Sequence, residues 1–321
     1  MLHAKNTASI VAHILPRQGR HAVTTPAQHL TVAYFAESFA KSRLQYTFTA
    51  SICIMLTSNL RCMKKWFTGI FVLLLVTGYA QSEQTIEQLL LKEFKAIDKL
   101  ANSTSGSRFA LIDTLEVANF RFRSLLQQTT ARFPATLGYA FKALQKEGLR
   151  ITTSADGLFR IYSWDTQTGG TMRFFENVYQ YSNKGKVMST HFRDSDQPTD
   201  PGYTYGDIYV LKSANETVYL ARRQAMYSTS DMYEGIKAFS IAGDSLNTTI
   251  KIIKTKTGIR NGLGFNYNYF SVVDQPARAA TLIQYDAAKK ILRFAVVLAD
   301  GKVTAQHIVY QFTGSFFERI K

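Results

Sequence analysis

A tight turn and then a β-strand are predicted by the run Asp156-Gly157-Leu158-Phe159-Arg160-Ile161-Tyr162-Ser163-Trp164-Asp165. The Asp-Gly pair supplies the positive φ values that tight hairpins require. The residues after it are rich in aromatic and β-branched side chains, which favour strands. From Gly148 onward apolar residues recur with a period of two, whereas before Gly148 they recur every three or four residues. The chain is therefore expected to change from helices to strands near Gly148.

Eleven strands are predicted after that point. They are Leu158–Trp164, Met172–Tyr181, Lys186–Phe192, Asp207–Lys212, Thr217–Tyr227, Ile236–Ile241, Thr248–Lys254, Phe265–Val273, Ala280–Tyr285, Ile291–Leu298 and Thr304–Phe312. Short turns between them indicate antiparallel pairing. Their many tyrosines and phenylalanines are compatible with a sandwich, a barrel or a propeller-like meander. Three groups of about four strands can be drawn, but their spacing is uneven, so no regular repeat is established.

Helices are predicted before Gly148. An amphipathic helix with one buried face is predicted from Thr85 to Leu100, with its apolar residues at Ile86, Leu89, Leu90, Phe94, Ile97 and Leu100. A second helical region ends at Arg132, and a third follows Pro134. The predicted fold class is therefore α+β, with a short helical segment (81–150) packed on a large antiparallel β region (151–321).

A signal peptide is predicted at residues 63–80. Met63-Lys64-Lys65 is a basic start, Trp66 to Val76 is a short apolar run, and Gly78 and Ala80 are small residues at the cleavage positions. Residues 1–62 hold both cysteines, four of the six histidines and a single acid, and are interpreted as a disordered upstream extension. The alternative is a genuine extension followed by an internal signal-anchor. The expected location is periplasmic or extracellular, with no stable membrane span after cleavage.

The segment after Ala80 has 30 basic and 22 acidic residues, a net charge of +8. The basic residues are scattered, and the only basic doublets are Arg222-Arg223 and Lys289-Lys290. No nucleic-acid partner is therefore expected. A cell-surface polymer or another extracellular ligand is the expected partner, and an ordinary solvated basic face is the alternative. The segment contains no cysteine, which excludes disulfides, thiolate nucleophiles and a lipoprotein anchor.

The run from Asp156 to Asp165, followed by Gly169-Gly170-Thr171-Met172, resembles a pattern in uncharacterised exported proteins of Gram-negative bacteria of the Bacteroidota kind. The resemblance implies export but no activity. Trp164 and Asp165 lie at a strand end beside glycines that permit close backbone approach, so they are candidate ligand-binding residues. The alternative is a buried tryptophan and an aspartate that caps the following turn.

Two further candidate sites involve charged residues. Arg222 and Arg223 are expected to point to opposite faces of their strand, so that one needs a buried acidic partner or an anion. Arg222, together with Asp207, completes the set of ligand-binding candidates. Asp194, Asp196 and Asp200 form a loop with the oxygen ligands that Ca²⁺ prefers, although such loops are also ordinary turns. Calcium is therefore the one cofactor that the sequence suggests.

Groups for catalysis are few. His191 and His307 are the only histidines after Ala80, and the chain has neither an HExxH run nor a GxSxG elbow. No catalytic residue is therefore assigned. The predicted function is a non-catalytic binding module for cell-envelope or extracellular ligands. The alternative is a secreted hydrolase of glycans or esters that uses acids near Trp164 and Asp165, with Asp165, Glu176, Asp194, Asp231 and Glu234 as available carboxylates.

Overall fold

The structure is a computed structural model that describes residues 64–103, 108–194, 200–213, 216–274 and 282–320. The side chains of residues 64–82 and 108 lie outside this description. The predicted extension 1–62 and the candidate ligand Asp196 also lie outside the described residues. Thr68–Lys321 forms one compact unit. Within the described residues, no helix combines the length and the apolar character needed to cross a membrane.

The helices come first in the chain, as predicted. They are α1 (Lys64–Ala101), α2 (Arg108–Arg132), a 3₁₀ helix (Pro134–Leu137) and α3 (Lys142–Lys146). One face of α1 packs into the core and buries Ile86, Leu90, Phe94 and Ile97, whereas the predicted stripe residue Leu89 is exposed. These described contacts all follow the predicted cleavage position at Ala80. Gly148 has a φ of 101° and ends the helical region, as expected for a glycine after a helix.

Strands make up the rest, and fifteen are seen in the described residues. Sheet A has the order β1 (Arg150–Thr153), β2 (Phe159–Asp165), β3 (Phe175–Asn183), β4 (Lys186–Thr190). Sheet B has the order β11 (Gly262–Asn268), β7 (Asp231–Ala242), β6 (Thr217–Met226), β5 (Thr204–Lys212), with β8 (Ser245–Asn247) paired to β7. Sheet C has the order β10 (Gly258–Arg260), β9 (Ile253–Thr255), β15 (Phe317–Arg319), β14 (Val303–Phe312), β13 (Ile291–Val297), β12 (Ile283–Asp286). All these pairs are antiparallel except β15 with β9.

The helices and the three sheets stack as layers. Phe122 of α2 packs edge-on against Trp164 of sheet A, with ring centroids 5.0 Å apart. The opposite face of sheet A meets sheet B through a cluster that includes Phe159 and Phe239. The far face of sheet B meets sheet C through a cluster that includes Leu220 and Phe294. The predicted α+β class is confirmed, and the sheets are open rather than closed into a barrel.

Two predicted strands are shorter than expected, one at its beginning and one at its end, and the cause is the same in both. Thr248–Lys254 was predicted as one strand, but residues 248–252 are not in a strand, because the Asn247 side chain accepts hydrogen bonds from the backbone and hydroxyl of Thr249. Strand β11 likewise stops at Asn268, whose side chain accepts from the Phe270 N–H and starts a 3₁₀ helix. Local asparagine hydrogen bonds compete with the sheet ladder at both places.

Candidate functional site

The two adjacent arginines of strand β6 point into two different interfaces between sheets. Arg222 points toward sheet C and lies beside Asp207 and Glu234. Arg223 points toward sheet A and pairs with Asp194. The two arginines therefore occupy opposite faces, as the alternation predicts, and both have acidic partners, whereas only one was expected to need one.

The charged group on the sheet C side consists of Asp207, Arg222 and Glu234. The Arg222 Nε lies 3.2 Å from the Asp207 Oδ2 and 3.5 Å from the Glu234 Oε1. Side-chain exposure rises across the group, from 0% for Glu234 to 24% for Arg222 and 57% for Asp207. The pairing of β5 with β6 shifts register between Tyr205 and Ile208, and such bulges re-aim side chains. Arg222 thus joins a buried carboxylate to an exposed one.

Glu234 has few hydrogen-bond donors for a buried carboxylate. The Gln224 Nε2 donates to its Oε2 at 2.7 Å, and Arg150 donates in turn to Gln224 at 3.2 Å. Among the described residues, the Glu234 Oε1 and the Arg222 Nε make no hydrogen bond of good geometry. Burial raises the pKa of Glu234 to about 7, against the lowering effects of Gln224 and Arg222.

A surface along β5 leads away from this group. The Tyr209 hydroxyl donates to the Asp207 Oδ2 at 3.4 Å, and the rings of Tyr209 and Tyr285 lie 5.2 Å apart. Tyr285 also lines an open cavity of about 420 Å³, together with Ala155, Asp156, Val210, Leu211, Lys212, Ala287 and Lys290. We call the residues Asp207, Arg222, Tyr209 and Tyr285, with this cavity, the β5 surface.

A second charged group lies between sheets A and B. The Asp194 carboxylate accepts hydrogen bonds from Arg223 at 2.7 Å and from the Tyr205 hydroxyl at 2.7 Å, and it also contacts the Lys237 ammonium. The Arg223 guanidinium stacks over the Tyr203 ring at 4.1 Å. The Asp194 side chain is 7% exposed. This carboxylate is thus committed to internal partners.

Trp164 and Asp165 lie away from the β5 surface. Trp164 is buried under α2, and its indole N–H donates to the Asn119 Oδ1 at 2.9 Å. The Asp165 carboxylate accepts from the Gln167 N–H at 2.8 Å and pairs with Arg173 at 3.3 Å. Sheets A and B separate Trp164 from Arg222, so the four predicted ligand-binding residues do not form one site. The Trp164 ring is out of reach of a ligand from solvent in this structure.

The predicted metal residues are divided between different roles. Asp194 pairs with the side chains of Arg223 and Lys237. The Asp200 carboxylate accepts a hydrogen bond from the Gly202 N–H at 2.9 Å, as in a turn. Within the described residues no three potential ligands converge to hold a metal ion.

The remaining candidates for catalysis are also separated. Glu176 pairs with Arg123 of α2 at 2.9 Å. Burial and the neighbouring Arg123 lower the pKa of His191 to about 4, so that its ring is neutral at physiological pH. Sequence reasoning named Glu234 only as one acid among five, and it missed Tyr209, Lys212, Tyr285 and Lys290. Of these four residues, only Lys290 carried a signal in the sequence, as part of the doublet Lys289-Lys290.

Comparisons of this chain with protein-family models, with curated proteins and with solved structures found no match.

Proposed function

We propose that this protein is an exported, non-catalytic binding module that holds a cell-envelope or extracellular ligand on the β5 surface. The observation that carries the proposal is the continuous path from the ion pair of Arg222 and Asp207, through Tyr209 and Tyr285, to the cavity. A volume of about 420 Å³ falls in the usual range of small-ligand pockets, roughly 300 to 1,000 Å³.

The charges of the Glu234 group support a role in binding. Burying charges is costly, and an ion pair without well-aligned hydrogen bonds rarely stabilises a fold. Glu234 and Arg222 have such an imperfect arrangement in the described residues. Residues with perturbed pKa values beside a surface concavity are candidates for function. The exposed part of Arg222 would let a ligand bind beside this imperfectly satisfied pair.

The tyrosines support a ligand with flat, partly apolar faces. Aromatic rings with a polar tip contact such ligands through the ring and through the hydroxyl. Asp207 and Lys212 are five residues apart on β5, which corresponds to roughly 16 Å at ~3.3 Å per residue. A ligand that spans the β5 surface is therefore a chain of several units, as in an envelope or extracellular polymer.

A hydrolase of glycans or esters remains the second candidate, because Glu234 has a pKa of about 7 and lies beside the exposed carboxylate of Asp207. Two carboxylates in unlike environments are the usual pair for glycoside cleavage. Binding is preferred because Glu234 is fully buried, whereas an acid catalyst must reach its substrate.

Two measurements test the proposal. Mass spectrometry of the protein recovered outside the cytoplasm should give an N-terminus at Gln81, and a protein that keeps residues 63–80 in the cytosol would refute export. Co-sedimentation with insoluble envelope and extracellular polymers should retain the protein. Asp207→Ala and Arg222→Gln should reduce retention at least tenfold.

The matched control is Lys186→Ala, which breaks an exposed ion pair with Asp244 on another hairpin and should leave retention unchanged. Equal retention of all four proteins would refute a site on the β5 surface. Glu234→Gln separates the two candidates. A binder keeps its ligand intact with or without this change, whereas a hydrolase loses turnover by roughly two to four orders of magnitude.

A further inference from the structure

We infer that the cavity at the end of β5 is a subsite for the acidic group of an anionic glycan, held by the ammonium groups of Lys212 and Lys290. This inference rests on the proposed function, because it assigns the ligand class of the β5 surface. Both lysines line the cavity beside the Tyr285 ring. Cations beside an aromatic ring suit a sugar that carries a carboxylate or a sulfate.

The charges of the lining favour an anion. Neither Lys212 nor Lys290 has a carboxylate partner among the described residues. The Lys290 ammonium is held by the Lys212 carbonyl oxygen at 3.4 Å and lies 5.6 Å from the centre of the Phe312 ring. An ammonium has three donors, so this arrangement leaves Lys290 able to donate to a ligand.

Asp156 is the one acidic residue in the lining, and its oxygens are already used. The Oδ1 accepts from the Ser154 hydroxyl at 2.6 Å and from the Leu158 N–H at 3.1 Å. The Oδ2 accepts from the Tyr219 hydroxyl at 3.0 Å. Two lysines against one carboxylate leave the lining with a net charge of +1. The carboxylate thus holds the turn in place, and the lysines face the open volume.

The backbone of Lys290 allows a clean test. Its φ is 51°, in the left-handed region where glycine is the usual residue, so Lys290→Gly removes the ammonium without straining the turn. Lys184 has a φ of 50° in the hairpin between β3 and β4 and does not line the cavity, which makes it a matched control.

The test is calorimetric titration of the whole exported protein with four probes. They are a galacturonate tetrasaccharide, a sulfated galactan tetrasaccharide, neutral cellotetraose and an eight-nucleotide single-stranded DNA. At least one acidic tetrasaccharide should bind, and the carboxylate and sulfate probes tell which acidic group is preferred. Lys290→Gly and Lys212→Gln should each weaken that binding by roughly tenfold to a hundredfold, the effect of one lost charge-assisted hydrogen bond.

Lys184→Gly should leave binding unchanged, and thermal melting should show that both glycine variants stay folded with an equal or higher Tm. Binding of cellotetraose as tight as that of the acidic probes, with Lys290→Gly and Lys212→Gln harmless, would overturn the inference and leave the proposed function standing. Tighter binding of the oligonucleotide than of both acidic glycans would also overturn it. If none of the probes binds and no polymer retains the protein, the proposed function fails as well.

Discussion

Glu234→Gln should stabilise the protein at neutral and alkaline pH and have little effect in acid. Glu234 is fully buried, and burial raises its pKa to about 7 from the ordinary 4.5. The replacement keeps the shape of the side chain and removes the charge. Gln224 and Arg222 remain in place, and Arg222 keeps the carboxylate of Asp207 as its partner.

The magnitude and sign follow from proton linkage. At ~1.4 kcal/mol per pH unit, the gap between a pKa of 4.5 in the unfolded chain and one of about 7 in the fold corresponds to about 3 kcal/mol. Because the folded pKa is the higher one, this contribution to stability is fully present below pH 4.5. It is lost as the pH rises to about 7, since the fold must then bury a charge. The Glu234→Gln variant has no carboxylate to ionise at this position, so its stability does not fall for this reason as the pH rises.

Urea unfolding from pH 4 to pH 8.5 measures the effect. The free energy of unfolding of Glu234→Gln minus that of the native protein should grow by about 3 kcal/mol between pH 4.5 and pH 7 and then level off. Asp207→Asn is the matched control, because it removes the exposed carboxylate of the same group and should keep most of the native pH dependence. A difference that stays constant across this range would refute the argument that burial raises the pKa of Glu234.

Three further outcomes are expected. Asn119→Ala should cost about 1–3 kcal/mol in urea unfolding, because it leaves the buried indole N–H of Trp164 without its acceptor; no loss would contradict a structural role for that bond. Asp194→Asn should cost about 3–5 kcal/mol, since it breaks a buried ion cluster; a cost below ~1 kcal/mol would show that the cluster is well solvated. The ring of His191 should titrate near pH 4 by NMR, with stability lost as the pH falls from 6.5 toward 4; a midpoint near 6.5 would show that the ring is not desolvated.

The regular part of the fold could be predicted from the sequence because its signals are local. The apolar spacing from Ile86 to Ile97 and the turn pair Asp156-Gly157 act within a few residues. Strands β1, β8, β10 and β15 were missed, because each has only three or four residues and too few positions for a period to be recognised. The stacking of three sheets in layers was also not predicted, since it depends on contacts between residues far apart in the chain.

The candidate site could be predicted only in part. The alternation of β6 was enough to separate Arg222 from Arg223. It could not show that Asp207 pairs with Arg222, because that contact involves a bulge in β5. The sequence also could not show that Trp164 faces the helices. Sheet A is covered on both faces, so an apolar residue on β2 could be buried on either side. The sequence shows which residues carry charge, but the exposure of each charged side chain depends on how the helices and the three sheets stack on one another.

Three buried carboxylates in the described residues allow structural and functional charges to be separated. Glu87 accepts from the Tyr139 hydroxyl and from two backbone N–H groups, and Asp194 accepts from Arg223, Tyr205 and Lys237. Glu234 is the most deeply buried of the three, yet Gln224 alone donates to it in good geometry. Stability favours the fully satisfied arrangement, because an unmet buried acceptor costs free energy. The poorly satisfied carboxylate lies beside Arg222, which is partly exposed on the β5 surface. We therefore expect a ligand at the β5 surface and not at the Asp194 cluster, whose carboxylate is fully used by internal partners.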